Sequence, residues 1–364
     1  MYKNGGLSKL ISCAKERTPM DSASSLSDQQ TSTATHKSSS RNLIRIFARI
    51  LVATVLLYLL SRFLIYWHDW PPLIETLHSF MGGEALESAR LYKGIALLFI
   101  YIATFVLIAF SIKRTPENSL SSDAERYKEL SYFIVRAAFW AVFFIGLADA
   151  IISFLRVEEI LIPIVGAEIA QILDQSTQRG LYVHYPLLVL AIVVAWFSKS
   201  LGFYWLAFLV VLAEFTIVIT RFVFSYEQAF MGDLVRFWYA AFFLFASAYT
   251  MVEGGHVRVD VLYARVTNKK KAWVNALGSL ILGLPVCWTI LHYGLGSRQS
   301  SLIAPILSFE TSPSGYGMYV KYLMAAFLVV FAVSMALIFI SYFLKNCAFL
   351  FKEADAELPS GGEH

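Results

Sequence analysis

Two carboxylates sit where few are tolerated. Glu214 lies near the middle of the apolar run 202–224, and Asp149 lies inside the apolar run 132–155. Insertion scales put an ionised Asp at the centre of a membrane-crossing helix at about 2.5–3.5 kcal/mol unfavourable, so such an acid needs a partner, a proton or a task. Ion coupling is one task. The simpler reading is a protonated or hydrogen-bonded acid at a helix–helix or subunit interface, because one carboxylate does not build a cage of about six oxygens for a cation. His184 and His292 fall near the ends of two further apolar runs. Two axial imidazoles on different helices could hold a haem, although a histidine near a membrane interface is ordinarily an amphipathic anchor.

A second polar set flanks the run 237–252. Before it stands the spacing R-x5-E from Arg221 to Glu227, followed by Trp238. After it comes E-G-G-H-V-R-V-D, with Gly255, His256, Arg258 and Asp260. An Arg–carboxylate fork could clamp the turn or dock a partner. Gly254 and Gly255 permit backbone angles that a side chain forbids. In an extended segment His256, Arg258 and Asp260 share one face; in a helix His256 and Asp260 lie one turn apart. Either arrangement fixes an inter-helix connection or holds a neighbouring subunit. One histidine with scattered carboxylates is too few ligands for zinc. Cys13, Cys287 and Cys347 form no zinc, redox or haem-attachment spacing. No nucleophile elbow, phosphate-binding loop or metalloprotease signature occurs in a plausible context. The expectation is a chain that is not an enzyme, with no metal site and no cofactor.

The elements that position these residues follow from composition. The chain has 364 residues, 57% of them hydrophobic and 15% charged, with a mean hydropathy of +0.60. Soluble chains average about a quarter charged. Continuous apolar runs long enough to cross a core of about 30 Å recur, without the alternation of a membrane barrel. The fold class is all-α, a polytopic helical membrane protein with eight transmembrane helices near 43–66, 91–112, 132–155, 181–198, 202–224, 237–252, 273–295 and 319–344. A polar connection, 115–130, separates the second and third. The stretch 157–174, broken by Pro163 and Gly166, mixes acids with isoleucines and suits an interfacial helix. The fourth span is separated from the fifth by very little, and merging them would flip one half relative to the other.

Charge supplies an orientation. Arg41, Arg45 and Arg49 introduce the first span, and Lys113, Arg114, Arg126, Lys128, Lys199, Arg258, Arg265, Lys269 to Lys271, Lys345 and Lys352 fall on the same side. Asp69, Glu75, Glu84, Glu87, Glu158, Glu159 and Asp174 fall on the other. The positive-inside rule then places both termini in the cytoplasm. Four regions are expected: 1–42, a disordered cytoplasmic tail; 43–200, an N-terminal membrane extension of four spans; 201–351, a four-helix membrane domain; and 352–364, a C-terminal tail. The extension and that domain show no internal repeat or paired broken helices of the kind that build a self-sufficient carrier.

Arg221, Glu227, Gly232, Trp238 and the run Gly255 to Asp260, set between hydrophobic segments, resemble the small membrane subunit of TRAP transporters, the tripartite ATP-independent periplasmic solute importers. The resemblance covers the segment from Gly202 to about Phe351 and leaves the first half as an addition. It implies a non-catalytic scaffold for a large permease subunit in the bacterial inner membrane. Sodium-coupled uptake of an organic acid, delivered by a periplasmic solute-binding protein, would be the task of the assembly. The implied partners are that permease, the binding protein and the lipid bilayer, with no nucleic acid. The alternatives are a haem-bearing membrane anchor of a redox complex, resting on His184 and His292, and a stand-alone secondary transporter, resting on Glu214 and Asp149.

Overall fold

The computed structural model describes residues 19–83, 86–115, 118–199, 203–226, 228–252, 263, 265–312, 317–353 and 356; for 19–38 and 203 it describes the backbone alone. Among them every regular element is helical: α1 (Pro19–His68), α2 (Leu73–Phe80), α3 (Ser88–Arg114), α4 (Leu120–Val157), α5 (Leu161–Val165), α6 (Ala167–Leu173), α7 (Ser176–Arg179), α8 (Tyr185–Phe197), α9 (Phe203–Val223), α10 (Met231–Val252), α11 (Asn268–Gly278), α12 (Leu284–Leu295), α13 (Ile303–Ser308) and α14 (Lys321–Leu350). Eight segments are long and apolar enough to cross a membrane: 39–68, 88–114, 120–157, 176–197, 204–223, 231–252, 268–295 and 321–350. That agrees with the eight spans read from the sequence. The fourth and fifth are separate helices.

Residues 1–44 and 45–364 form two units. In the first, the helix begins at Pro19, within the stretch expected as a tail. In the second, α4 and α14 are the central pair, and α4 also packs on α8 and α10. Lipid supplies no hydrophobic drive to associate such helices, so close approach and buried hydrogen bonds must do it. Small residues allow that approach. The Ser131 hydroxyl donates to the Ser334 carbonyl at 3.0 Å and the Ser341 hydroxyl to the Ala124 carbonyl at 2.8 Å. Phe327 on α14 meets Phe237 and Phe245 on α10, each at a centroid distance of 5.1 Å.

Two spans are not continuous α-helix. Gly180–His184 and Ser279–Gly283 each form one π turn, and a proline follows each, Pro186 or Pro285. Proline has no N–H to continue the regular ladder, and the widened turn re-pairs the backbone around it: the Tyr185 amide bonds Gly180 O and the Leu284 amide bonds Ser279 O. Gly283 lets this backbone lie against Phe339, whose ring would stand 2.6 Å from any added Cβ.

Polar ties close the two ends of the bundle. At one end Arg45, fully buried, donates to Asp123 at 2.7 Å and to the Thr115 carbonyl at 2.7 Å, while Arg49 donates to Ser111 at 2.6 Å. These bonds join the middle of α1 to the end of α3 and the start of α4. The polar residues 120–130, expected as part of a connection, instead form the first turns of α4. Ser119 caps them by accepting the Ser122 amide at 3.0 Å, and Leu120, Asp123 and Ala124 face inward. The Glu353 carboxylate, past the end of α14, accepts the Leu120 amide at 3.1 Å and the Ser121 amide at 3.3 Å. A carboxylate there satisfies amides that the helix itself leaves open and faces the positive end of its dipole. Replacing Glu353 by Ala is expected to cost about 1 kcal/mol, the scale of a lost cap. Hydrogen exchange at Leu120 and Ser121 checks it, and unchanged protection there would rule the cap out.

Candidate functional site

At the opposite end of the bundle a buried polar network forms around Asp149. The residue sits two turns before the end of α4 with its carboxylate fully enclosed. Oδ1 accepts from Arg179 Nη1 at 3.0 Å and from His184 Nε2 at 3.2 Å; Oδ2 accepts the Tyr319 backbone N–H at 2.8 Å. An ionised carboxylate only accepts, so the network assigns the proton to Nε2 of His184. Nδ1 then accepts the Tyr322 hydroxyl at 2.8 Å. Arg179 also donates Nε to the Leu173 carbonyl at 2.6 Å, and its guanidinium lies 3.9 Å over the Tyr319 ring.

The π turn accounts for the convergence of Arg179 and His184 on one oxygen. Residues five apart on an α-helix point about 140° away from each other, whereas the wider turn through Gly180–His184 brings them to one side. Gly180 is required there, since the Phe309 ring would stand 2.5 Å from an added Cβ.

The network extends through the segment before α14. Arg156 donates Nη2 to the Gly317 carbonyl at 2.9 Å and Nη1 to the Tyr319 hydroxyl, and pairs with Asp174 at 3.2 Å. From α10, Asp233 accepts the Met318 amide at 3.2 Å. Two acids, one from α4 and one from α10, thus hold consecutive backbone amides. Nearby, the Tyr226 hydroxyl donates to the Glu158 carboxylate, a bond that holds the phenol above its usual pKa. Deeper in the bundle Trp238 of α10 fits against Gly146 of α4 and donates Nε1 to the Val142 carbonyl at 3.4 Å.

In chemical type Tyr322, His184 and Asp149 form a hydroxyl–imidazole–carboxylate chain. Their exposures are 2%, 1% and 0%, so the chain of groups is closed to solvent, and its bonds join α4, the π turn before α8, and α14. The same bonds decide the haem question. Both ring nitrogens of His184 are engaged, which leaves no lone pair for iron, and His292 stands exposed on α12 beside Trp288. These residues do not fit a bis-histidine haem.

The structure separates the other sequence candidates. Asp149 belongs to the network, Trp238 is covered by the chain's own α4, and Glu214 is exposed at the middle of α9. Arg221 is exposed in the last turn of α9. Glu227, Gly255, His256, Arg258 and Asp260 lie outside the described residues. Arg179, Tyr319, Tyr322, Asp233 and Gly146 were not singled out by sequence. Arg179 had a usable signal, because a buried acid calls for a cation at its own depth.

Residues 208–348 match the family model for the DctQ component of tripartite ATP-independent periplasmic transporters. The match runs from within α9 through α10, α11 and α12 to the last turn of α14, under half of the chain. No curated protein and no solved structure matches the chain. The DctQ-like segment supplies Asp233, Trp238, Met318, Tyr319 and Tyr322 to the contacts above, and the residues before it supply Gly146, Asp149, Arg156, Asp174, Arg179 and His184. The resemblance drawn from Arg221, Trp238 and their neighbours therefore falls on the matched segment, and the network lies where that segment meets the added helices.

Proposed function

We propose that this chain is the small permease subunit of a TRAP-type secondary transporter, a multi-pass protein of a bacterial inner membrane. It scaffolds a large permease subunit that carries out sodium-coupled uptake of an organic acid delivered by a periplasmic binding protein. The observation that carries this reading is the DctQ match over residues 208–348, which takes in four of the eight spans. The buried polar groups give it physical support. The bonds of Asp149, Arg179 and His184 are enclosed and tie helices together, as suits a rigid frame, and this network fastens two of the four added spans, 120–157 and 176–197, to the DctQ-like segment.

In this reading the Arg45 end of the bundle faces the cytoplasm and the Asp149 end faces the periplasm. Ser300→Cys should react with an impermeant maleimide in intact cells and Lys269→Cys only after lysis; the opposite pattern overturns the orientation. The main test is purification of the tagged chain in mild detergent. A large hydrophobic permease recovered at near-equal amount is expected, together with no uptake by vesicles holding this chain alone. A chain that emerges by itself, intact and monodisperse, would defeat the scaffold reading.

A further inference from the structure

Two of the eight spans, α3 and α9, are the least buried. They differ in one respect. Between Gly94 and Ile112 the α3 sequence has no charged residue, so its open face suits lipid. At its midpoint α9 carries Glu214, exposed and surrounded by the exposed apolar residues Val211, Leu212, Phe215 and Val218.

The spacing on α9 is informative. Leu206 and Ala213 are buried and, with half-buried Val210, Ile217 and Thr220, make a stripe stepping by four and three, on the helix whose main neighbour is α10. One residue further on runs a second stripe with the same steps: Ala207, Val211, Glu214, Val218 and Arg221. Ala207 is half-buried and the other four are exposed. Alternating steps of three and four are the seam along which two helices pack at a small crossing angle. The chain uses one such seam internally and leaves the other open.

We propose that the open seam of α9 docks a transmembrane helix of the large permease subunit, and that this helix presents a hydrogen-bond donor to Glu214 at mid-membrane depth. The docking rests on the reading of the chain as a small permease subunit. The acid chooses among occupants. Lipid acyl chains offer no donor to a carboxylate, and intramembrane acids in helical bundles pair with groups on neighbouring helices. A second copy joined symmetrically along this seam would set Glu214 near its own counterpart, two like charges in an apolar medium. A helix carrying Arg, Lys, His, Gln or a hydroxyl at that depth satisfies the acid. Arg221 lies about 10 Å further along the same seam.

The test compares wild type, Glu214→Gln and Glu214→Leu, each tagged and produced with the permease that the wild type recovers. Leucine makes α9 more apolar, so insertion does not suffer and lost partner is not lost folding. Glu214→Leu is expected to recover about tenfold less permease, the scale of one interhelical hydrogen bond in a membrane, whereas Glu214→Gln keeps most of it. A photo-crosslinker at Val211 or Val218 should join the permease, and one at Ile102 or Val106 on α3 should not. Undiminished recovery by Glu214→Leu, or crosslinks from 211 and 218 that join two copies of this chain, overturns the docking face and leaves the scaffold standing. A wild-type chain that recovers no permease sinks the scaffold reading, and the docking with it.

Discussion

Arg179→Ala is expected to be the most damaging single change in the buried network, costing about 3–5 kcal/mol, because it leaves the Asp149 carboxylate enclosed without its cation. Asp149 keeps only the His184 ring and the Tyr319 amide as donors, and Tyr319 loses the guanidinium that lies over its ring. Asp149→Ala should be comparably harmful, since Arg179 would retain the Leu173 carbonyl alone among the acceptors described here. The pair Asp149→Leu with Arg179→Met behaves differently. Removing both charges also removes the unfavourable desolvation of each, and such replacements are often neutral or stabilising by about 1–4 kcal/mol. Thermal denaturation of detergent-purified wild type, Asp149→Leu, Arg179→Met and the pair gives the coupling. Additive losses would mean that the two side chains do not depend on each other. The double variant also separates two roles for Asp149: a structural acid leaves uptake by the assembled transporter intact in that background, and an ion-coupling acid does not.

Trp238→Ala should rank second, at about 3–5 kcal/mol, the range for deleting a large buried aromatic and leaving its cavity. Its indole is 5% exposed and occupies the space that Gly146 leaves on α4. The reciprocal change tests the fit from the other side. A Cβ at position 146 would stand 2.5 Å from Trp238 Nε1, so Gly146→Leu must displace the ring, at about 1–3 kcal/mol for an overpacked core. Combined with Trp238→Ala, the leucine should restore part of the loss, and the double variant should be more stable than the sum of its parts. If the two effects add, Trp238 and Gly146 are not neighbours in the folded protein.

The eight spans were legible because a run of about twenty apolar residues has few other uses in a chain this poor in charge. Their ends were less so. Residues 120–130 and 231–236 are polar, yet both continue a helix, because Leu120, Ala124 and Leu234 turn inward and the inward acids find partners, Asp123 on Arg45 and Asp233 on the Met318 amide. Asp149 and His184 each stood out alone. Pairing them required knowing that α4 and α8 pack together and that a π turn rotates Arg179 toward the same oxygen. Grouping His184 with His292 by residue type led toward haem, while depth in the membrane groups it with Asp149. The amides of Met318 and Tyr319 were invisible, since a backbone donor has no letter of its own.

The pairing of α4 with α14 has a consequence in time. As the chain leaves the ribosome, α4 is complete more than 160 residues before α14 begins, an interval on the order of ten seconds or more at about 5–20 residues per second. Throughout it, the Ser131 hydroxyl, the Ala124 carbonyl and the Leu120 amide lack their eventual partners, which come from residues 334–353, while the Gly146 notch waits about half as long, for Trp238. Asp149 does not have to wait so long. Arg179 and His184 follow it by 30 and 35 residues, so its charge is matched early, and only the Tyr319 amide and the Tyr322 hydroxyl arrive late. The early helices are in effect a half-built socket with its most hazardous group already neutralised, and the final helix is the part that completes it.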